Sequence, residues 1–260
     1  MRHGRRQQMA ERDAAKQDRK KMRSLALISG LAAFSFAGLL AFAGYQLLLH
    51  PQTPLPAAWN PVQPLRVADQ VTPVTSWKLS RTVAAPALCQ AALMGAAAAI
   101  ALPPLRDSDQ CFIDNRFDLA RVGQSALQPV ETSCETALRL AMWEEHSVQP
   151  AAEEILGQPV REIRHIGSYN CRQMRTSSGL SQRMSTHATA SAIDVAGFQL
   201  DDGRVIRLIS DWERDDATAA FLRGVRDGAC DWFGLTLSPD FNRLHADHFH
   251  LQSSGWGGCR

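Results

Sequence analysis

The chain has no cysteine before Cys89, and nowhere does it set two cysteines as Cys-x-x-Cys or in another close pair. That argues against a thiolate zinc finger or ribbon, whose ligands come in such pairs. It has no Lys, Arg, Asp or Glu over the 26 residues from Ser24 to Leu49. No internal repeat is visible, so solenoids and propellers drop out. The part beyond the N-terminus also lacks a net positive charge. Residues 1–23 hold nine basic and three acidic residues, so a net charge of +2 leaves the remainder at −4. Nucleic-acid binders concentrate Lys and Arg on a folded face, and no such partner is expected.

What is present is ordinary for a globular protein: 260 residues, 45% hydrophobic and 21% charged. This composition excludes a collagen, a wholly disordered chain and a multi-span transporter, but not a single membrane span. The uncharged run carries Leu25, Ile28, Phe34, Phe36, Leu39, Leu40, Phe42, Leu47 and Leu48, and at 1.5 Å rise about 20 such residues cross a bilayer core. The basic segment precedes it, and His50 to Trp59 has no Lys or Arg. The positive-inside bias therefore predicts a single-pass inner-membrane protein with residues 1–23 cytoplasmic, 24–49 spanning, and the rest periplasmic. A cleavable signal peptide is the alternative, since Ala41-Phe42-Ala43 before Gly44 resembles a cleavage site. Both readings export the body. All six cysteines (Cys89, Cys111, Cys134, Cys171, Cys230, Cys259) lie beyond the run, as disulfides in an oxidising compartment require. The expected local bridge is Cys89 with Cys111.

Six prolines between Pro51 and Pro73 make residues 50–75 read as an extended spacer, with the domain over residues 76–260. The Ala-rich stretch Ala84 to Ala101 reads as a helix ending at Pro103-Pro104. Residues 129–147 read as an amphipathic helix and Asp216 to Asp227 as another. Short β-type runs cover Val160 to Ile166, Ala192 to Leu200, Val205 to Ile209 and His248 to Gln252, with Asp202-Gly203 as a hairpin turn. The fold class expected is α+β: a small, mostly antiparallel sheet flanked by helices, preceded by one transmembrane helix.

Two segments carry the chemistry. One runs Ser185-Thr186-His187 to Asp194; the other is His245-Ala246-Asp247-His248-Phe249-His250. Imidazole and carboxylate together suit Zn²⁺. His187 and Asp194 are seven apart, about 10.5 Å along a helix axis, too far to share an ion. A loop entering a strand is required. His248 and His250 share one face of a strand. His187, Asp194 and His250 with one open position make a catalytic rather than a closed site. A metal with a neighbouring imidazole is machinery for amide hydrolysis.

Ser185-x-His187-x6-Asp194 followed by His245-x-x-His248-x-His250 resembles the Ser-x-His-x6-Asp and His-x-His motifs of zinc peptidases that cut peptidoglycan cross-links. These include D-Ala-D-Ala dipeptidases, D,D-carboxypeptidases and murein endopeptidases, with a core shared by the Hedgehog domain. Together with Tyr169-Asn170-Cys171-Arg172, the stretch from Cys89 to Cys259 more closely resembles the bacterial extensin-like C-terminal domain family. The resemblance implies His187, Asp194 and His250 as Zn²⁺ ligands, and as base His248, then His245, then Asp247. It implies Arg172 as a clamp on a substrate carboxylate or carbonyl, Ser185 as a substrate-orienting residue, and peptidoglycan peptide stems as the substrate. Two positions depart from the peptidases: Ala190 stands where they have Gly, and Asp247 where the dipeptidases use Glu. If position 190 needs positive φ, Ala costs about 1 kcal/mol. The function classes in play are a membrane-anchored zinc peptidase, a catalytically silent zinc-containing wall-binding module, and a disulfide-stapled scaffold. The ionisable residues favour the first two, because buried imidazoles and carboxylates are costly without a ligand.

Overall fold

The computed structural model describes residues 2–176, 179–255 and 257–260, with side chains from residue 16 onward. It divides into two units, residues 1–56 and 57–260. The first is dominated by helix α1 (Arg2–Leu48). Over Lys16–Leu48 this helix is long and apolar enough to cross a membrane. Leu31, Phe34 and Leu39 stand exposed along it, and a helix that is apolar all round calls for a buried or lipid environment.

The second unit begins earlier than its prolines imply. Leu65 and Val67 join the hydrophobic core, Asn60 is buried, and the Thr72 hydroxyl donates to the Ala58 carbonyl at 2.8 Å. Most of the segment expected as a spacer is thus packed chain, since Pro restricts the backbone without keeping its neighbours from a core. Next come α2 (Thr75–Val83), α3 (Pro86–Met94), β1 (Ala97–Ala101), β2 (Leu105–Ser108), β3 (Cys111–Ile113), β4 (Arg116–Val122), β5 (Ser125–Ser133), α4 (Cys134–Trp143), a π turn (Glu144–Val148) and α5 (Gln149–Leu156). The C-terminal half holds β6 (Val160–Gly167), β7 (Gln173–Thr176), β8 (Gly179–Met184), a 3-10 turn (Thr186–Thr189), β9 (Ala192–Leu200), β10 (Val205–Arg207), α6 (Leu208–Asp211), α7 (Ala217–Trp232), β11 (Leu235–Leu237), β12 (Phe249–Gln252) and β13 (Gly258–Cys259).

The fold is α+β. Among the described residues the main sheet has nine strands, larger than expected, in the order β1-β4-β5-β6-β9-β12-β11-β13 with β10 also on β9. It is antiparallel except for β5–β6 and β11–β13. The β5–β6 join is narrow: one registered pair, Ala126 opposite Glu162. Hairpins β2–β3 and β7–β8 form separate two-stranded sheets.

Several sequence expectations change. The Ala-rich helix stops at Met94, and Ala97–Ala101 becomes a strand paired with Phe117–Val122. An unbroken run of small apolar residues carries no period to separate helix from strand. The helix expected from residue 129 starts at Cys134, because Ser125–Ser133 completes β5, and the Ser133 hydroxyl accepts from Thr136 N as its N-cap. The strand expected to reach Ile209 ends at Arg207, where Arg207 N donates to Asp211 Oδ2 at 2.7 Å and α6 begins. The hairpin at Asp202-Gly203 forms between β9 and β10, with Gly203 at φ +83°.

Helices α4 and α7 close one face of the sheet. Trp143 packs on Phe198 and Phe198 on Phe221 at 5.9 and 5.2 Å between centroids. Trp143 Nε1 donates to Val225 O at 2.8 Å. Each such fully buried side chain stabilises by about 1.5–3 kcal/mol. A carboxyl group lies in this core: Glu144 is fully buried. Its Oε1 accepts from Gln124 N, Ser125 N, Ser125 Oγ and Gln149 Nε2, while Oε2 has no partner. A Cβ built on Gly123 (φ +50°) would stand 1.8 Å from that Oε2, so a larger residue there would be strained and would have to displace the Glu144 carboxyl. Burial raises the Glu144 pKa, and the hydrogen bonds from Gln149, Ser125 and Gln124 offset this in part.

The bridges are Cys89–Cys134, Cys111–Cys171 and Cys230–Cys259. The expected Cys89–Cys111 pair does not form. Cys89 sits on α3, which packs on α4, whereas Cys111 is carried away on the β2–β3 hairpin to the chain that follows β6.

Candidate metal centre

The site is built where a turn feeds a strand. The Ser185 hydroxyl accepts from His187 N at 3.3 Å and starts the 3-10 turn. Ala190 ends it in the left-handed region at φ 48°, ψ 30°, and its carbonyl accepts from Thr136 Oγ1 at 2.8 Å. The chain then enters β9, which carries Asp194. In the β9–β12 ladder His250 is directly opposite Asp194, so both side chains leave the same face. Their neighbours Ile193, Val195, Phe249 and Leu251 belong to the core, so the pair faces away from it.

His187, Asp194 and His250 each offer a ligand atom within 4.8 Å of the others. His250 Nδ1 stands 2.9 Å from Asp194 Oδ1, and His187 Nε2 is 3.2 Å from each of those atoms. Bonds of about 2.0–2.1 Å in a tetrahedron place ligand atoms about 3.3 Å apart, close to the spacing found. Protonation points the same way. His187 Nδ1 lies 2.6 Å from Ser168 O, a carbonyl that only accepts, so Nδ1 carries the proton and Nε2 of the neutral ring presents a lone pair. It faces the Asp194 carboxylate, another acceptor. Burial acts to raise the Asp194 pKa. Without an ion between them the rings meet Asp194 only by carrying an extra proton: hydrogen bonds and charge from protonated His187 and His250 then outweigh burial and hold the Asp194 carboxyl well below the usual carboxylate range. The donor set therefore fits a divalent cation.

Of the other residues singled out, His248 comes closest to this group: its Nε2 is 3.7 Å from Asp194 Oδ1. His248 Nδ1 donates to Asp247 Oδ1 at 2.7 Å, leaving Nε2 as the acceptor nitrogen. The His245 ring lies 5.3 Å from His248 and 5.9 Å from His250 between centroids. Burial, then the charges of His248 and His250, push the His245 pKa down to about 4, against Asp194 and Asp247. Ser185 is buried and spends its hydroxyl on the turn. The Arg172 guanidinium donates to Gln173 O at 3.3 Å, and its carbonyl accepts from Ser185 N.

The sequence reading missed two supports. Ser168 holds His187 through its carbonyl and is itself fixed by hydroxyl contacts to Thr132 Oγ1 and Ala192 O, both 2.7 Å. No sequence signal marks a backbone acceptor. Asn242 Oδ1 accepts from His245 Nδ1 at 2.8 Å and from Leu244 N at 2.9 Å. An Asn three residues before a His that opens a turn is a readable signal.

A family model described as "Extensin-like protein C-terminus" matches residues 87–260. No curated protein and no solved structure gives a match.

Proposed function

Starting from a chain that belongs to the Extensin-like protein C-terminus family, we propose that it is a zinc-dependent peptidase that hydrolyses a D-amino-acid-containing peptide bond in peptidoglycan. In this reading α1 anchors it in the inner membrane with its N-terminus cytoplasmic, and the domain works in the periplasm. The observation that supports the reading best is the meeting of His187 Nε2, Asp194 Oδ1 and His250 Nδ1 beside the β9–β12 ladder, on the side turned away from the core. These three would hold the ion. Bound there, Zn²⁺ supplies Lewis acidity toward a carbonyl oxygen and lowers the pKa of water.

The remaining residues act through proton placement and binding. His248 is the base: Asp247 holds its Nδ1–H, and Nε2 takes a proton beside Asp194. Asp247 thus orients His248 rather than serving as base itself. His245, its Nδ1–H held by Asn242, is the second imidazole at the site. Arg172 meets a carboxylate or carbonyl of the peptide stem, a task suited to a planar, always-charged guanidinium. Ser185 serves the site by shaping the turn that presents His187.

The test is metal content and product mass spectrometry on the oxidised, detergent-purified chain given cross-linked wall fragments. One equivalent of zinc with new peptide ends supports the peptidase and names the bond. Zinc without products moves the site to a wall-binding module. A chain that takes up no zinc overturns both readings.

A further inference from the structure

A second concentration of chemistry lies far from the histidines in sequence. Between Ala57 and Leu105 the chain has three cations, Arg66, Lys78 and Arg81, and one acid, Asp69, in a unit whose other charges are predominantly negative. All three cations line one cleft of about 470 Å³, with Val62, Leu65 and Leu88 among its apolar walls. Lys78 is 3% exposed, and its ammonium donates to Ala57 O at 3.0 Å. An ammonium has three hydrogens to give, and among the described residues it makes no ion pair. Burial pushes its pKa down, with Asp69 acting in the opposite direction. Arg66 and Arg81 are exposed and likewise outside any ion pair among the described residues. Arg81 lies over the ring of Trp77, 5.5 Å from its centroid, and Trp77 and Trp59 are 49% and 44% exposed.

A buried cation at an apolar cleft calls for an anion carried on an apolar body. Exposed tryptophans beside arginines are the side chains that sit at a membrane–water interface. The first cleft residue, Pro61, comes thirteen residues after Leu48, the end of α1. At no more than ~3.6 Å per residue the cleft stays within about 47 Å of that end.

We propose that this cleft is a binding site for the phosphate headgroup of an acidic phospholipid, through which the domain docks on the bilayer. The proposal rests on the membrane-anchored reading of α1. Lys78, Arg66 and Arg81 meet the phosphate, and Val62, Leu65 and Leu88 take the first part of the lipid's apolar body.

The experiment is amide hydrogen exchange on the full chain in nanodiscs of phosphatidylcholine alone or mixed with phosphatidylglycerol. Exchange through residues 61–66 and 77–82 is expected to slow at least tenfold in the acidic discs. The exposed double variant Arg66→Glu/Arg81→Glu should lose that slowing while the rest of the domain exchanges as before. Equal exchange in both discs, or slowing that survives the double variant, overturns the proposal. Inorganic phosphate giving the same slowing in neutral discs overturns it in favour of a free anion. The anchor is read separately, from the mass of the chain recovered from membranes. Loss of the residues before Gly44 removes the anchor and the proposal with it, whereas an intact chain indifferent to lipid charge removes the lipid site alone.

Discussion

His250 stands directly across the β9–β12 ladder from Asp194, its Nδ1 2.9 Å from the carboxylate oxygen. A ladder pair is fixed by backbone hydrogen bonds on both strands, so two of the three metal-competent residues are set by sheet register and the third by a capped turn.

His187→Ala, Asp194→Asn and His250→Ala should each weaken zinc binding by more than about 100-fold, beyond the 10–100-fold lost when a group behind a ligand is removed. Metal analysis after dialysis against a weak chelator reads this. A variant that keeps one equivalent of zinc would exclude its residue from the ligand set.

Asn242→Ala should leave zinc content unchanged while lowering turnover about 10-fold, because His245 loses the acceptor that fixes its tautomer and ring orientation. Asn242→Asp, which keeps an acceptor oxygen, should recover most of it. Steady-state kinetics with parallel metal analysis separates this from a general loss of fold.

Ala190 sits at φ 48° and is fully buried. Ala190→Gly should change stability by less than about 1 kcal/mol, because release of roughly 1–2 kcal/mol of left-handed strain is offset by the loss of a buried methyl worth about 0.8 kcal/mol. Ala190→Val should cost more than about 2 kcal/mol, since branching at Cβ worsens the strain and overfills the site. Denaturant unfolding of both variants measures the contrast.

Glu144 gives a pH dependence with a definite sign. Its pKa is raised by burial, so between the unfolded value, about 4.3, and the raised one the native state holds the proton more tightly. Stability from this group is greatest at low pH and falls as pH rises through that window. The stability of Glu144→Gln relative to the parent should therefore increase with pH across the window and level off above it. A difference that stays flat or falls would contradict a raised pKa.

Removing the Cys111–Cys171 bridge by a double Ala substitution should cost about 4 kcal/mol, as expected for a loop of this length. Thermal unfolding under non-reducing conditions would show it.

The sequence was most readable where spacing constrained chemistry. The seven-residue spacing of His187 and Asp194 ruled out a shared helix, and the structure has a turn running into a strand. The i, i+2 spacing of His248 and His250 required an extended backbone, and both lie on the same approach to Asp194. Other features depend on contacts that no local pattern encodes. Ala97–Ala101 becomes a strand only because β4 is beside it, and Pro129 is tolerated within β5. Cys89 finds Cys134 through the packing of α3 on α4, and Ser168 matters through its carbonyl alone. Leu65 and Val67 were hidden among prolines that suggested a free spacer.

The narrow β5–β6 join divides the sheet into two panels, residues 97–133 and 160–259, that share one rung. Cross-panel ties supplement it, among them the Cys111–Cys171 bridge, the Thr132–Ser168 hydroxyl contact, Ser125 Oγ on Val160 O, His165 Nε2 on Gln128 O and the Tyr169 hydroxyl on Asp107. The chain enters the unit on the side of the first panel, while His187, Asp194 and His250 all belong to the second. Within the sheet, tension drawn from the first panel crosses this line to reach the histidines, while α4 offers a second route through Thr136 Oγ1 on Ala190 O. Of the cross-links between the panels the covalent one is the stiffest, and it arrives at Cys171, three residues past the carbonyl that steadies His187.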